Sequence, residues 1–344
     1  MIRFNCDYSE GAHERILKKL AETNLEQTPG YGEDHYCAEA AGIIRSLCGR
    51  EDAAVHFLVG GTQANLTVIA SALRSHQGAV GAVTAHINVH ETGSIEATGH
   101  KVLALPSEDG KITAEQAEEL YQAHIRDESF EHTVQPKMVY ISNPTELGTI
   151  YTRAEMENLY GVCRKYGLYL FVDGARLAYG LAAEGNDLDL KSLAASCDVF
   201  YIGGTKVGAL FGEAVVILND ELKADFRYHI KQRGGMLAKG RLLGIQFGEL
   251  LRDGLYFELG AHADRLADKI RCACVKKGYP FLVENTTNQV FPIMPDSLLE
   301  SWKDKYSYTN QGRVDESHTA IRLCTSWITS GEQVDILVND ILNS

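Results

Sequence analysis

The chain has 344 residues, of which 45% are hydrophobic and 23% charged, a composition typical of a globular protein with room for two domains and a large core. Its 33 basic and 46 acidic residues give a net charge of -13, which argues against DNA, RNA or an anionic membrane as the main partner. No segment has the long uncharged apolar run of a membrane span, and the N-terminal segment lacks the apolar centre of a signal peptide. We therefore expect a cytoplasmic protein.

The eight cysteines are expected to be buried free thiols. They are scattered, mostly within apolar stretches, whereas disulfide frameworks are typical of short secreted chains. The one close pair, Cys272 and Cys274, lies in a helical pattern, where positions two apart face different sides. A metal ion shared by this pair is therefore not expected.

Apolar runs typical of strands alternate with helical patterns along the chain, which predicts an α/β fold with a mainly parallel sheet. Several runs are apolar throughout, as in strands that are buried on both faces. The predicted strands cover residues 81–85, 101–105, 137–142, 168–172, 198–202 and 214–218.

Capping signatures predict where several helices begin. They are Thr113-x-x-Gln116, Thr152-x-x-Glu155 and Ser330-x-x-Gln333. A helical stretch over 237–277, broken near Gly254, connects two predicted domains. The first, residues 1–245, is the large domain, and the second, residues 246–344, is a smaller α+β unit with short strands in QVFPIM and AIRLCTS.

The segment LVGGTQANLTVIASAL predicts a tight turn that enters a helix. Gly60, Gly61 and Thr62 stand at the helix N-terminus, where unpaired N–H groups and the helix dipole favour a bound phosphate. The segment matches neither the P-loop nor the GxGxxG pattern. The alternative is an ordinary helix start, with glycine for the turn and threonine for the cap.

The segment TAHINVHETGSIEATGH brings two histidines to helical spacing. His86 and His90 are four residues apart, but the HExxH order of a zinc site is missing and no third ligand is evident. An imidazole that stacks on a planar ligand and a purely structural histidine are the other interpretations.

The segment YLFVDGARLAYGL is an apolar run that ends in a carboxylate, Asp173. In open α/β sheets, ligands bind at the carboxyl ends of strands, so Asp173 is placed to meet a ligand. Arg176 follows with a guanidinium group suited to a carboxylate. A helix-capping aspartate followed by a surface arginine is the alternative.

The segment VFYIGGTKVGALFGEAVVIL places a single lysine, Lys206, between two apolar strands. Apolar surroundings lower the pKa of an amine, and a partly neutral lysine forms a Schiff base with an aldehyde. The preceding Gly203 and Gly204 are interpreted as leaving space for a planar group against the backbone. A lysine whose stem packs while its ammonium reaches water is the alternative.

Together, these four features match the requirements of pyridoxal phosphate. The phosphate needs a helix N-terminus, the aldehyde a lysine, the pyridine nitrogen a carboxylate, and the ring face a planar neighbour. The order of the features along the chain also resembles the threonine aldolase group of fold-type-I pyridoxal-phosphate enzymes, the β-eliminating lyase family. The resemblance is carried by GYGEDHYC, GGTQAN, AHINVHETGS, FVDGARL, GGTKVGALFGEAVV, QRGGM and IRLCTSW.

The resemblance implies a fold-type-I, transferase-like large domain and a role for each matching cofactor residue. Gly61 and Thr62 would hold the phosphate, with Gly60 shaping the turn. His86 would stack on the pyridine ring, Asp173 would pair with the ring nitrogen, and Lys206 would form the Schiff base.

The resemblance also implies substrate-binding residues and an oligomer. Arg176 and Arg322 would bind the carboxylate of an amino acid substrate. Tyr31 would lie by the active site of a neighbouring subunit in a homodimer or homotetramer. Cys6 takes the place of a serine near the substrate carboxylate, because Asn5-Cys6-Asp7 stands where Arg-Ser-Asp is usual.

A second departure concerns a phosphate contact from the partner chain. Met236-Leu237 stands where many members have Met-Arg. Either Arg233, Lys239 or Arg241 replaces that arginine, or the contact is missing.

The activity implied is aldol cleavage of the Cα–Cβ bond of threonine or allo-threonine to glycine and acetaldehyde. The proton of the β-hydroxyl group would pass to His86, to a water molecule that His86 holds, or to His90. Elimination that releases ammonia and a keto acid is the alternative within the same cofactor class. A non-catalytic protein of this fold is another, whereas a dinucleotide-dependent oxidoreductase lacks its glycine fingerprint.

Overall fold

A computed structural model describes every residue from Met1 to Ser344. The first half of the chain forms β1 (Ile2–Arg3), α1 (Glu14–Glu22), α2 (His35–Cys48), β2 (Ala54–Leu58), α3 (Gly61–Ala72), β3 (Gln77–Ala82), α4 (His86–Val89), α5 (Ser94–Ala97), β4 (Lys101–Leu105), α6 (Ala114–Arg126), β5 (Gln135–Ser142) and α7 (Arg153–Tyr166).

The second half continues this alternation and then adds a smaller unit. It forms β6 (Tyr169–Asp173), α8 (Leu177–Ala182), α9 (Leu190–Ala195), β7 (Val199–Gly203), β8 (Glu213–Ile217), α10 (Asp220–Lys223), α11 (Phe226–Gln232), α12 (Arg241–Leu251), α13 (Leu255–Lys277), β9 (Gln289–Val290), β10 (Ile293–Pro295), α14 (Asp296–Trp302), β11 (Tyr306–Ser307), β12 (Thr309–Arg313), β13 (His318–Cys324) and α15 (Gly331–Asn343).

The central sheet has seven strands in the order β2-β8-β7-β6-β5-β3-β4. Strands β7, β6, β5, β3 and β4 are parallel to one another, whereas β8 runs antiparallel to both β7 and β2. All residues of β3, β7 and β8 are buried, as expected for strands that are covered on both faces. The predicted α/β fold with a mainly parallel sheet is confirmed.

Five of the six predicted strands are confirmed to within two residues, and the sixth is misplaced. Instead of 81–85, β3 covers Gln77–Ala82, because the side chain of Gln77 is buried through a 2.8 Å hydrogen bond from its Nε2 to Gln135 Oε1. The sequence analysis also missed β2. His56 interrupts its apolar run, and the strand is only half buried at the sheet edge.

Two of the three predicted capping boxes are present, at Thr113 and Thr152. Ser330 does precede α15, but its side chain makes no capping hydrogen bond, so the third box is wrong. The predicted helix break is confirmed. Asp253 and Gly254, with φ of 58° and 78°, separate α12 from α13.

The buried residues form two separate hydrophobic cores. The main core contains 61 buried residues around the central sheet. The second contains 16, built mainly from α13, α15 and the antiparallel strands around β13, together with Phe4 from the N-terminal segment. The domain boundary at 245/246 stays a prediction.

The cysteines are all free, but two of them are not buried as predicted. Cys272 is exposed on α13, whereas Cys274 points into the second core. Cys6 is only partly buried. None of the helices combines the length and the apolar character that a bilayer crossing requires.

Candidate functional site

The four chemically interesting segments meet at one edge of the central sheet. Strands β2, β3, β5, β6 and β7 all point in the same direction, so their carboxyl ends lie together. Helix α3 begins just after β2, and His86 begins α4 just after β3. Asp173 ends β6 in register with Ser142 of β5, and Lys206 follows β7. This edge is where open α/β sheets bind their ligands.

Asp173 is held by four hydrogen-bond donors and is only 4% exposed. Tyr201 Oη and the backbone N–H of Ala175 donate to Oδ1, while Tyr140 Oη and Asn65 Nδ2 donate to Oδ2. Burial raises the pKa of both tyrosines well above the usual value, so their hydroxyls stay protonated donors. The carboxylate is thus fixed in place, with donors on both oxygens.

His86 is anchored by a second buried carboxylate, Glu91. The distance from His86 Nδ1 to Glu91 Oε1 is 2.7 Å, and the Glu91 side chain is fully buried. Burial lowers the pKa of His86, but the Glu91 hydrogen bond and the charge of Asp173 outweigh this effect and raise the pKa above its usual value. The His90 ring lies 5.7 Å from the His86 ring. These two histidines have no third ligand beside them, because no group of three His, Cys, Asp or Glu side chains in the structure could hold a metal ion.

The amine of Lys206 makes no hydrogen bond and no ion pair in the structure. Burial and the nearby Arg176 charge lower the pKa of Lys206, while Asp7 and Asp173 oppose this shift. The charges of Arg176, Asp7 and Asp173 therefore all act on the Lys206 amine. Its lowered pKa increases the neutral, nucleophilic fraction of the amine. Tyr179 Oη holds the lysine backbone through a 2.6 Å hydrogen bond to its carbonyl oxygen.

The glycines before Lys206 do not leave open space, contrary to the interpretation from the sequence. A Cβ atom at Gly203 would lie 2.5 Å from the carbonyl oxygen of Ala175, and one at Gly204 would lie 2.9 Å from that of Gly212. Protein backbone fills this volume, and the glycines allow the segments beside the strands to approach. Open space is found instead at Gly60, where an added Cβ would have no neighbour within 4 Å.

The predicted phosphate site lies at the start of a helix without a side-chain cap. Helix α3 starts at Gly61 with the extended residue Gly60 as its N-cap, and no side chain satisfies the first N–H groups. Thr62, the next residue, is exposed. Gln63 is used structurally, because its Nε2 donates to the Arg233 carbonyl oxygen at 3.1 Å.

Arg176 is already engaged by the protein. Its Nε and Nη2 atoms donate to the two oxygens of Asp7 at 2.7 and 2.9 Å. Burial raises the pKa of Asp7, but the charges of Arg176 and Lys206 outweigh burial and lower it to about 2. Asn288 Nδ2 also donates to Asp7, at 2.9 Å. The remaining donor nitrogen of Arg176 is Nη1.

Arg322 retains an unused donor. Its Nη1 donates to Gln289 Oε1 at 3.3 Å and its Nη2 donates to the Asn5 carbonyl oxygen at 3.2 Å. Its Nε is buried without any partner. A buried donor without an acceptor is costly, which is typical of a group that awaits a ligand.

Cys6 lies near the other predicted substrate-binding residues, whereas Tyr31 does not contact them. Cys6 precedes Asp7, so it lies beside the Arg176 ion pair, and its thiol is 3.1 Å from Ser9 Oγ. Tyr31 is 47% exposed, and it makes no hydrogen bond with the other predicted site residues. Its φ of 62° is in the left-handed region, and Lys231 Nζ lies 4.8 Å from its ring centroid.

The three candidates to replace the phosphate arginine differ in their contacts. Arg241 donates to backbone carbonyl oxygens of Thr23, Asn24 and Glu26. Arg233 Nη1 donates to Gln232 Oε1 at 2.9 Å, and Lys239 is exposed and forms no ion pair. Which of them replaces the arginine stays a prediction.

Several site residues escaped the sequence analysis. They are Asn65, Tyr140, Glu146, Tyr201 and Glu213, whereas Asp7 and Glu91 stood in the segments considered but were given no role. Two signals were available. Asn65 is a polar residue on the apolar face of α3, and Tyr140 and Tyr201 are tyrosines inside apolar strands, where their hydroxyls need partners.

The architecture, with lysine and aspartate at strand ends, is that of a fold-type-I pyridoxal-phosphate enzyme. Thermus thermophilus aspartate aminotransferase shares this fold with a TM-score of 0.73, at 15% identity, over 100% of this chain and 91% of that one. Leishmania major threonine aldolase is much more similar, with a TM-score of 0.97 and 43% identity over 100% of this chain and 99% of that one.

The sequence comparisons place the chain more narrowly. The β-eliminating lyase family model matches residues 7–295. A low specificity L-threonine aldolase from a Pseudomonas species is 30% identical over 350 aligned positions, which cover 98% of this chain and 96% of that protein. The chain therefore belongs to the β-eliminating lyase family. The predictions of family, fold class, lyase class and pyridoxal-phosphate cofactor are confirmed.

Proposed function

We propose that this chain is a pyridoxal-phosphate-dependent aldolase that cleaves threonine or allo-threonine to glycine and acetaldehyde. The observation that carries the proposal is the unpaired amine of Lys206 at the same sheet edge as Asp173, which four donors hold. The names of the relatives support the reaction.

The residues present fit the cofactor. The N-terminus of α3, with Gly60, Gly61 and Thr62, offers unpaired N–H groups and open space to a phosphate group. Lys206 would hold the cofactor covalently, and Asp173 would keep a proton on the pyridine nitrogen. When bound, pyridoxal phosphate withdraws electrons from the bond that breaks at the substrate Cα.

The positive groups support binding of an amino acid carboxylate. Arg322 offers its buried Nε, and Arg176 offers Nη1 while Asp7 fixes its plane. Cys6 lies next to this ion pair, where its thiol would contact the substrate. Holding the carboxylate orients the Cα–Cβ bond, which provides much of the rate through positioning.

The proton of the β-hydroxyl group needs an acceptor on the protein. Because Glu91 holds Nδ1 of His86, the free Nε2 would take this proton directly or through a water molecule. His90 is exposed beside His86 and is the second candidate. His86 would also stack on the cofactor ring.

Product identity tests this proposal. The cofactor-loaded protein is incubated with L-threonine, L-allo-threonine, L-serine and L-cysteine. Glycine plus acetaldehyde from the first two is the expected result, whereas ammonia plus a keto acid would indicate elimination instead. Lys206→Ala should abolish turnover, while Lys303→Ala, which removes an exposed lysine of a surface ion pair, should leave it unchanged.

We also propose that the protein is a cytoplasmic homodimer or homotetramer in which Tyr31 contributes to a neighbouring subunit's site. Exposed apolar side chains support an interface, including Leu25 at 92% and Tyr228 at 77% exposure. A complementation experiment tests the sharing of sites. Mixed oligomers of inactive Lys206→Ala and weakened Tyr31→Phe chains should regain activity, because one site then holds both native residues. No recovery, or a monomer in light scattering, would contradict this arrangement.

A further inference from the structure

Asn65 connects the two buried carboxylates of the site. The residue is fully buried on α3, one helical turn after Gly61. Its Nδ2 lies 2.7 Å from Glu91 Oε1 and 3.0 Å from Asp173 Oδ2. An amide NH₂ group has two hydrogens, so it can donate one to each carboxylate. Its Oδ1 has no partner, so the residue contributes here as a donor.

Glu91 is the link between Asn65 and His86. Its Oε1 accepts from Asn65 and faces His86 Nδ1 at 2.7 Å, while its Oε2 accepts from Ser94 Oγ at 2.6 Å. A chain of contacts therefore runs from His86 through Glu91 and Asn65 to Asp173. It joins the group expected on the cofactor ring face to the group expected at the ring nitrogen.

The amide separates two like charges. Without it, two buried carboxylates would face each other, and their repulsion would move Glu91 away from His86 Nδ1. None of the surrounding titratable groups takes the place of the Asn65 amide between the two carboxylates. His90 follows α4 and its ring lies 5.7 Å from that of His86, while Glu146 accepts from the His86 backbone N–H at 3.2 Å. Lys206 also acts on His86, but its positive charge opposes protonation of the ring.

We propose that Asn65 is a positioning residue that holds Glu91 and Asp173 in place through one shared amide group, so that His86 stays oriented while Asp173 stays available to the cofactor. The proposal rests on the proposed function for the identity of the cofactor, but not on the aldolase reaction. Asn65 touches no reacting atom in this scheme and acts through the two carboxylates.

Cofactor affinity and its pH dependence test the proposal. The full chain carrying Asn65→Leu is compared with native protein by equilibrium dialysis against pyridoxal phosphate at pH 8. We expect the dissociation constant to rise about tenfold or more, because a donor to two buried charges is lost. Thr67→Val is the matched control. Thr67 is buried on the same helix, and its hydroxyl makes no hydrogen bond.

Asn65→Asp provides an isosteric second variant if Asn65→Leu does not fold. It places a third carboxylate between the first two, so affinity should be weak at pH 8 and recover as the pH falls to 6. Affinities within twofold of native for either folded variant, or a loss equal to that of Thr67→Val, would overturn the proposal.

A double-mutant cycle tests whether Asn65 acts through Glu91. The readout is the pH midpoint of turnover that reflects His86. Asn65→Leu and Glu91→Gln should each move this midpoint to lower pH, and the double variant should move it no further than Glu91→Gln alone. Additive shifts would overturn the linkage. A protein that binds cofactor as expected but cleaves no threonine would refute the proposed function while leaving the affinity result intact.

Discussion

The buried ion pair between Asp7 and Arg176 offers a sharp test of the site's electrostatics. Asp7 has no exposed surface, and the pair has two hydrogen bonds of 2.7 and 2.9 Å. Replacing Asp7 by Asn leaves the guanidinium group buried without a counter-charge, which typically costs about 3–5 kcal/mol. We therefore expect Asp7→Asn to lower the free energy of unfolding by this amount at pH 7.

The pH dependence follows from the lowered pKa of Asp7. Its pKa falls from 3.8 to about 2 in the folded protein, which corresponds to about 2.5 kcal/mol of stability. Because the folded-state pKa is the lower one, this contribution is present above the unfolded-state pKa. It is lost as the pH falls from about 5 to about 2.

Urea unfolding of the cofactor-free protein, at fixed protein concentration, measures both effects. The gap in unfolding free energy between native protein and Asp7→Asn should be largest at pH 7 and shrink at pH 3. Glu300→Gln, which removes one partner of an exposed ion pair, should cause little change at either pH. A gap below about 1 kcal/mol at pH 7, or one that grows as the pH falls, would refute the reasoning.

Three further predictions follow from single contacts. Gly174→Ala would place a Cβ atom 1.9 Å from the Tyr201 carbonyl oxygen, so we expect the unfolding free energy, measured by thermal unfolding, to fall by more than about 3 kcal/mol. Gly161→Ala in α7 is the control, because its Cβ atom meets nothing within 4 Å and should stabilise the helix slightly. Equal melting temperatures of the two variants would contradict this. Arg322→Lys loses the buried Nε, so the KM for threonine should rise about tenfold with the visible absorbance of the cofactor unchanged; an unchanged KM would remove Arg322 from the substrate site. Thiol labelling of the folded protein should modify the exposed Cys272 first, and Cys272→Ser should remove that fast phase. A fast phase that persists in Cys272→Ser would contradict this.

The local sequence patterns predicted most of the fold because they report on local physics. Strands such as β7 and β8 are buried on both faces, so their apolar runs are unbroken. The helix starts at Thr113 and Thr152 depend on contacts within one turn. The misplaced β3 and the missed β2 contain polar residues, Gln77 and His56, whose side chains contact Gln135 and Phe226, which are distant in sequence.

The site was predicted less completely, for a similar reason. Lys206, Asp173 and His86 stand in recognisable segments, but their partners are contributed by other elements. Asp7 is distant in sequence from Arg176, and Asn65 reaches Asp173 only in the folded chain. The glycines before Lys206 show the same limit, because the space that they leave is filled by the backbone of neighbouring segments.

The central claim is that Lys206 carries pyridoxal phosphate, and its most direct test is chemical. The cofactor-loaded protein is reduced with borohydride and digested, and the modified peptide is identified by mass spectrometry. The account predicts a single pyridoxyl group on Lys206 and none in Lys206→Ala. Modification of a different lysine, or no visible absorbance and no label after loading, would contradict it.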